Sequence, residues 1–259
     1  MDLRNNTILI TGGTSGLGYE FARTLLALGN TVLITGRNQQ KLDQTAKELQ
    51  GIHTFQSDVS DLDAIIALHA QISTQFPALN ILINNAGEMR KLSLHDTLAT
   101  LPDICREIEV NLMGPIRMIQ QFLPHLKEQQ TAAILNVTSG LALVPFPIAP
   151  IYGATKSGMH SYTQSLRVQL KHTSVKVFEL VAPAANTPLN DQFAIEEGFD
   201  SKMMMDPVAL IAEAMKGLEH DSFEIYPGLA KMIRIMSRLA PSLLIRQMSK
   251  VGAEQMSGR

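Results

Sequence analysis

Tyr152 and Lys156 stand four residues apart in the run YGATK, which opens a helical pattern. That spacing places both side chains on one helix face. A free phenol titrates near 10. To exchange a proton with an alkoxide near neutral pH, it must come down by roughly two to three pH units, and a neighbouring ammonium favours the phenolate. Ser139 ends an apolar run 13 residues before Tyr152. Its hydroxyl can donate to a substrate oxygen and steady developing charge. Asn111 falls inside a helical stretch, in VNLMGP. A polar side chain there is normally exposed or satisfied locally; the alternative is that it holds a water linking Lys156 to solvent. Singly, each residue has an ordinary reading, a Tyr–Lys surface pair among them. Together they suit proton exchange at a carbonyl or alcohol oxygen.

That chemistry needs a partner, and the N-terminal turn indicates which. TGGTSGLG, Thr11 to Gly18, directly follows the apolar run TILIT and opens a helix. Side chains at Gly12, Gly16 or Gly18 would block phosphates from the helix N-terminus, where the dipole favours negative charge. Gly12, Thr14, Ser15, Gly16, Leu17 and Gly18 are therefore candidate contacts of a dinucleotide. Asp58 and Val59 follow the third strand in SDVSD. Asp58 suits an adenine amino group, while Asp61 is the better helix cap. Asn85, Ala86 and Gly87 belong to NNAG, where small residues admit the adenosine ribose and Asn side chains tie strand ends together. The second strand ends in VLITGRN, with Gly36 leaving room and Arg37 able to bind a 2′-phosphate. No acid follows until Asp43, so NADP(H) is expected over NAD(H). No metal ligand is assigned.

These residues must be positioned by alternating elements. Strands are expected from Thr7, Thr31, Ile52, Leu79, Ala132 and Val175, with a last short one in SFEIY. Helices are expected over about Gly16–Leu28, in QKLDQTAKELQ with Leu42, Ala46 and Leu49 on one face, in DLDAIIALHAQISTQF, through a long stretch to about Lys127, from about Tyr152 to Lys171, and over Pro207–Glu219. Continuous apolar strands between helices indicate a parallel sheet covered on both faces. The expected class is α/β: a single-domain Rossmann fold, doubly wound, of about seven strands. Residues 1–228 form the dinucleotide-binding and catalytic domain, and 229–259 a basic C-terminal extension.

The chain resembles the short-chain dehydrogenase/reductase family in its single-domain branch. The TGxxxGxG turn, NNAG, a helical Asn, then Ser and YxxxK occur in order over about residues 5–228. VTSGLA around the serine resembles the bacterial DltE-like subgroup. The resemblance implies Asn111, Ser139, Tyr152 and Lys156 as a catalytic tetrad, with Tyr152, Lys156, Pro183 and Thr187 also meeting the cofactor. It also implies a homo-dimer or tetramer. One departure stands out: VAPAANTPL has Ala182 and Ala184 where the family usually has Asn and Gly.

Bulk properties bound the remaining readings. Of 259 residues 45% are hydrophobic and 18% charged, and with a net charge of −2 nothing global suggests nucleic-acid binding, which usually needs a strongly basic face. Cys105 is the one cysteine, so no internal disulfide forms; a buried, inert thiol in a reducing compartment is expected. With neither a secretory signal nor a spanning run in sight, a cytoplasmic protein is expected. A moderately apolar ketone or secondary alcohol would meet Glu88, Met89, Leu141 to Phe146, and a loop from Asn186 to Met205 carrying Phe193, Ile195, Phe199 and Met203–Met205; core cover is the alternative use of that loop. Leu229 to Lys250 carries five basic residues and no acid, interrupted by Pro241. It reads as a lid or subunit contact, a membrane-surface segment, or a loose tail. A nucleotide-binding redox sensor and a membrane-peripheral interaction protein are the competing functions.

Overall fold

The computed structural model describes residues 1–93, 95 and 100–253. Strand β1 (Thr7–Thr11) is followed by helix α1 (Gly16–Ala27), β2 (Thr31–Gly36), α2 (Gln39–Glu48), β3 (His53–Gln56), α3 (Leu62–Gln75) and β4 (Leu79–Asn84). Then come α4 (Leu101–Ile108), a π-helical turn (Glu109–Met113), α5 (Gly114–Glu128), β5 (Ala132–Ser139), α6 (Pro150–Gln169) and β6 (Val175–Ala182). The described chain ends through α7 (Pro207–Glu219), β7 (Glu224–Ile225), α8 (Ala230–Leu239) and α9 (Pro241–Met248). The seven strands form one sheet in the order β3-β2-β1-β4-β5-β6-β7, and all pairings are parallel.

Two apolar layers cover the sheet, because neighbouring strand residues point to opposite faces. Ile8 and Ile10 pack with Phe21 and Leu25 of α1 and with Leu210, Ile211 and Ala214 of α7. Leu9 between them packs on the other face with Ile65 and Ile72 of α3, Phe122 of α5 and Leu166 of α6. On α2, Leu42 is fully buried and Ala46 packs against the same layer as Ile34. The expected doubly wound α/β sheet is thus the observed one. Strand order reverses between β1 and β4, which opens a crevice at the carboxyl ends of the strands.

Several local expectations are corrected. The helical stretch to Lys127 starts only at Leu101; the chain first leaves β4 through a loop. It then breaks helical period at the π turn carrying Asn111. Cys105 is exposed rather than buried, since α4 turns Glu107, not Cys105, inward. The last strand shrinks to two residues. Pro241 does not merely interrupt the C-terminal segment: it starts α9 as an N-terminal helix residue. Residues 254–259 of that extension lie outside the described residues.

Candidate active site

A cleft of about 690 Å³ opens where the strands end, lined by the turns after β1, β2, β3, β4, β5 and β6. At its β1 end the chain turns so tightly that Gly12 and Gly16 adopt φ of +67° and +55°. A Cβ at Gly12 would lie 2.9 Å from the Ala86 backbone. Gly18 serves differently from the sequence reading. A Cβ there would sit 2.2 Å from the Gly12 carbonyl oxygen and 2.4 Å from Asn85 Nδ2, so its missing side chain lets α1 pack on its own turn, and Gly18 does not line the cleft. Ser15 begins α1 without a side-chain capping bond, which leaves the positive helix end uncapped by a side chain. Thr14, Ser15, Gly16 and Leu17 line the cleft beside it.

The floor is held by a polar lattice. Thr11 Oγ1 accepts from the backbone N–H groups of Asn85 and Ala86, each at 3.0 Å. Asn85 Nδ2 donates to the Thr11 and Gly12 carbonyls, and Asn84 Nδ2 donates to Asn136 Oδ1 on β5 at 2.9 Å. The asparagines therefore do tie strand ends together. Arg37, Asn38 and Lys41 line the cleft where β2 ends. Arg37 is half exposed, 4.0 Å from the Asp58 carboxylate. Asp58 accepts from Ser60 N and Oγ and also lines the cleft with Val59; Asp61 caps α3 as expected. The buried Ser57 hydroxyl, also on the cleft wall, has no hydrogen-bond partner among the described residues. Ser57 and Lys41 escaped the sequence reading, although Ser57 directly precedes Asp58 and Lys41 lies one turn beyond Arg37.

Across the cleft, α6 brings Tyr152 and Lys156 inward, both only 5% exposed. The ammonium lies 5.6 Å from the centre of the Tyr152 ring and donates to the Val137 carbonyl at 2.9 Å. Ser139, at the end of β5, accepts from Leu141 N at 3.1 Å. Asn111 is fully buried and not on the cleft surface. Its Oδ1 accepts from Glu88 N, and its Nδ2 donates to the Glu88 carbonyl and to Thr155 Oγ1. Even so, Asn111 Oδ1 and Lys156 Nζ both lie within 3.7 Å of the point where a Gly87 Cβ would be. The π turn makes this possible by aiming Asn111 at the loop after β4.

Burial pushes the Tyr152 phenol up to about 12; the Ser139 hydroxyl works against this and the Glu107 carboxylate adds to it. In the protein alone, without the positive ring of an oxidised cofactor, Lys156 is not among the groups that move the phenol, and desolvation sets its direction. Burial also brings the Lys156 ammonium down to about 8, opposed by the charge of Glu179. The phenol is thus held protonated, and the lysine titrates near its working range.

The apolar wall comes from Met89, Leu141, Val144, Phe146, Leu189, Phe193, Phe199 and Met203. Lys91 pairs with Glu196 and Gln192 Nε2 donates to the Met89 carbonyl at 2.5 Å, so the loops after β4 and β6 brace each other. Glu88 is turned away toward Arg106, Ile195 is 84% exposed, and neither Met204 nor Met205 lines the cleft; these are removed from the expected wall. Pro183 and Thr187 line the cleft, as do Ala182 and Ala184, and Thr187 meets the space above Gly16. Leu229, Ile233, Gln247, Met248 and Val251 form part of the wall.

A family model for short chain dehydrogenases matches residues 6–198. The chain belongs to the short-chain dehydrogenase family. Its sequence is 37% identical over 249 residues to the uncharacterized oxidoreductase DltE of Bacillus subtilis (strain 168), covering 96% of this chain and 98% of that one. Among solved structures, a short-chain dehydrogenase from Burkholderia cenocepacia J2315 in complex with NADP superposes with a TM-score of 0.82 at 22% identity, covering 96% of this chain and 99% of that one. One from Burkholderia phymatum in complex with NAD gives 0.79 at 21%, covering 90% and 93%. Those two likenesses concern the fold. Within this short-chain dehydrogenase, the candidate cofactor and catalytic residues other than Gly18 and Asn111 line the crevice at the switch point of the sheet.

Proposed function

We propose that the protein transfers a hydride between NADP(H) and a moderately apolar carbonyl or secondary alcohol, with Tyr152 as general acid and base. The observation that carries this reading is that one cleft holds Tyr152, Ser139 and Lys156 together with the uncapped start of α1 and the cations Arg37 and Lys41. A dinucleotide fits this cleft on three observations. The β1 turn and the loop after β4 approach so closely on the cleft wall that a Cβ at Gly12 would strike the Ala86 backbone, the helix end lacks a side-chain cap, and the buried Ser57 hydroxyl has no partner among the described residues. Gly12, Thr14, Ser15, Gly16, Leu17, Asn85, Ala86, Gly87, Pro183 and Thr187 would hold its phosphates and nicotinamide half, with Asp58 and Val59 near the adenine and Arg37 on a 2′-phosphate. Gly18 supports them by packing the turn. When bound, the dinucleotide supplies or accepts the hydride.

The chain's own groups do the rest. Tyr152, kept neutral by burial, donates its proton to the carbonyl oxygen in reduction and recovers it in oxidation. Ser139 steadies that oxygen. Lys156 spends one N–H on Val137 and keeps two donors for a ribose and for proton supply. Asn111 holds the Glu88 backbone and retains one lone pair on Oδ1 for a water toward Lys156. Lys91 lies 5.8 Å from the centre of the Phe193 ring but is paired with Glu196, and Met89, Phe146 and Phe193 favour an apolar substrate. The same reading has the protein in the cytoplasm as a homo-dimer or tetramer, open to cell fractionation and sedimentation velocity. The deciding experiment is a panel of carbonyls and alcohols, followed by nicotinamide absorbance with NADP(H) and NAD(H). Turnover that survives in Tyr152→Phe would refute the assigned role.

A further inference from the structure

Helix α8 presents two different apolar surfaces. Leu229 and Ile233 turn into the cleft wall, and Arg234 anchors the helix by pairing with Glu224 and lying 4.4 Å from the Tyr226 ring centre. On another side, Met232, Ile235 and Leu239 recur at i, i+3 and i+7 and are 49%, 57% and 78% exposed. That is one helical stripe. Lys231 and Arg238 are exposed along its edge. Helix α9 packs on α8 and adds exposed Leu243, Arg246 and Lys250. An exposed apolar stripe edged by cations, with no acid from Leu229 to Lys250, needs an explanation, because large side chains grouped this way do not gain by facing water.

We propose that α8 and α9 dock the protein on an anionic lipid surface. Met232, Ile235, Leu239 and Leu243 enter the headgroup boundary, and Lys231, Arg238, Arg246 and Lys250 meet the lipid phosphates. Charge favours a bilayer over a second copy of the chain. A two-fold contact would set this patch against itself, and its cations would repel. No described helix is long and apolar enough to cross a membrane, so the attachment lies in the surface plane. The inference does not depend on the catalytic reading.

The test is co-sedimentation of the full chain with vesicles of phosphatidylcholine alone, or with about 30 mol % phosphatidylglycerol. Binding to the anionic vesicles, weakened by salt, is expected. Lys231→Gln/Arg238→Gln/Arg246→Gln should lower partitioning about 100-fold. Ile235→Ser/Leu239→Ser should also release the protein; both side chains are exposed, so thermal melting should match wild type. No preference for the anionic vesicles, or equal binding by the charge-neutralised protein, overturns the proposal. So does self-association that Ile235→Ser/Leu239→Ser abolishes while vesicle binding is absent, which would make the stripe a subunit contact.

Discussion

In the proposed reaction Tyr152 is the proton donor, and burial, which pushes its phenol up to about 12, would keep that proton in place for a carbonyl oxygen. Tyr152→Phe removes that proton and little volume. It should cost at least about 99% of turnover on a confirmed substrate, since positioned acid–base catalysis contributes 10²–10⁴-fold, with cofactor affinity almost unchanged by calorimetric titration. Lys156, brought down to about 8 by burial, loses its charge as pH rises through that value. Cofactor affinity should therefore weaken above about pH 8 in the wild type. In Lys156→Met it should start weaker and lose that pH step. Arg37 is half exposed and only 4.0 Å from Asp58, a weak pairing from which it can turn to a phosphate. Arg37→Ala should reduce the affinity for NADP(H) relative to NAD(H) by about tenfold. Equal wild-type affinities for the two cofactors would remove the basis of the NADP(H) assignment.

At the scale of elements, the α1 turn and the C-terminal helices carry different risks. A methyl group at Gly18 cannot be absorbed, because the Gly12 carbonyl oxygen would lie 2.2 Å away. Gly18→Ala should destabilise the fold by about 1–3 kcal/mol, and cofactor binding should fall further than melting alone explains. At the other wall, Ile233 reaches Gly140 and shares the cleft surface with Met248. Truncating Ile233 to Ala should raise KM for apolar substrates about fivefold while kcat holds, because it removes apolar contact area and no donor or acceptor. A fall in kcat alone would instead mean that the helix positions Tyr152.

For the whole molecule, the pair of buried Glu179 and partly buried His160 joins the sheet to α6. Glu179 of β6 is fully buried, accepts from Thr138 Oγ1 at 2.5 Å and sits 2.9 Å from His160 Nδ1 on α6. That bond raises the His160 pKa above its usual 6.5 against the opposing effect of burial. A raised folded-state value means that the stabilisation is complete below about pH 6.5. It fades as pH rises through the higher folded value and the imidazolium loses its proton. The melting temperature should decline over that window. His160→Gln should flatten the decline and cost about 1.5–3 kcal/mol at low pH, the range of a charge-assisted bond. A wild-type melting profile flat across that range would exclude the pair as a source of pH dependence.

Short-range pattern determined much by itself. The apolar strands, the glycine turn and the four-residue spacing of Tyr152 and Lys156 are local features, so sheet class, strand limits such as Ala132–Ser139 and the cofactor turn were legible from residues alone. Only tertiary packing decided the rest. Gly18 is needed for a carbonyl that its neighbours' identities do not reveal, and Asn111 faces the loop after β4 because a π turn rotates it there. Cys105 is exposed because α4 turns Glu107 inward instead. The phenol rises rather than falls because desolvation depends on everything folded around it, not on one lysine. The tail's two faces, one in the cleft and one bare, follow from where α8 lands on Tyr226 and Glu224, a contact between segments that local periodicity does not encode.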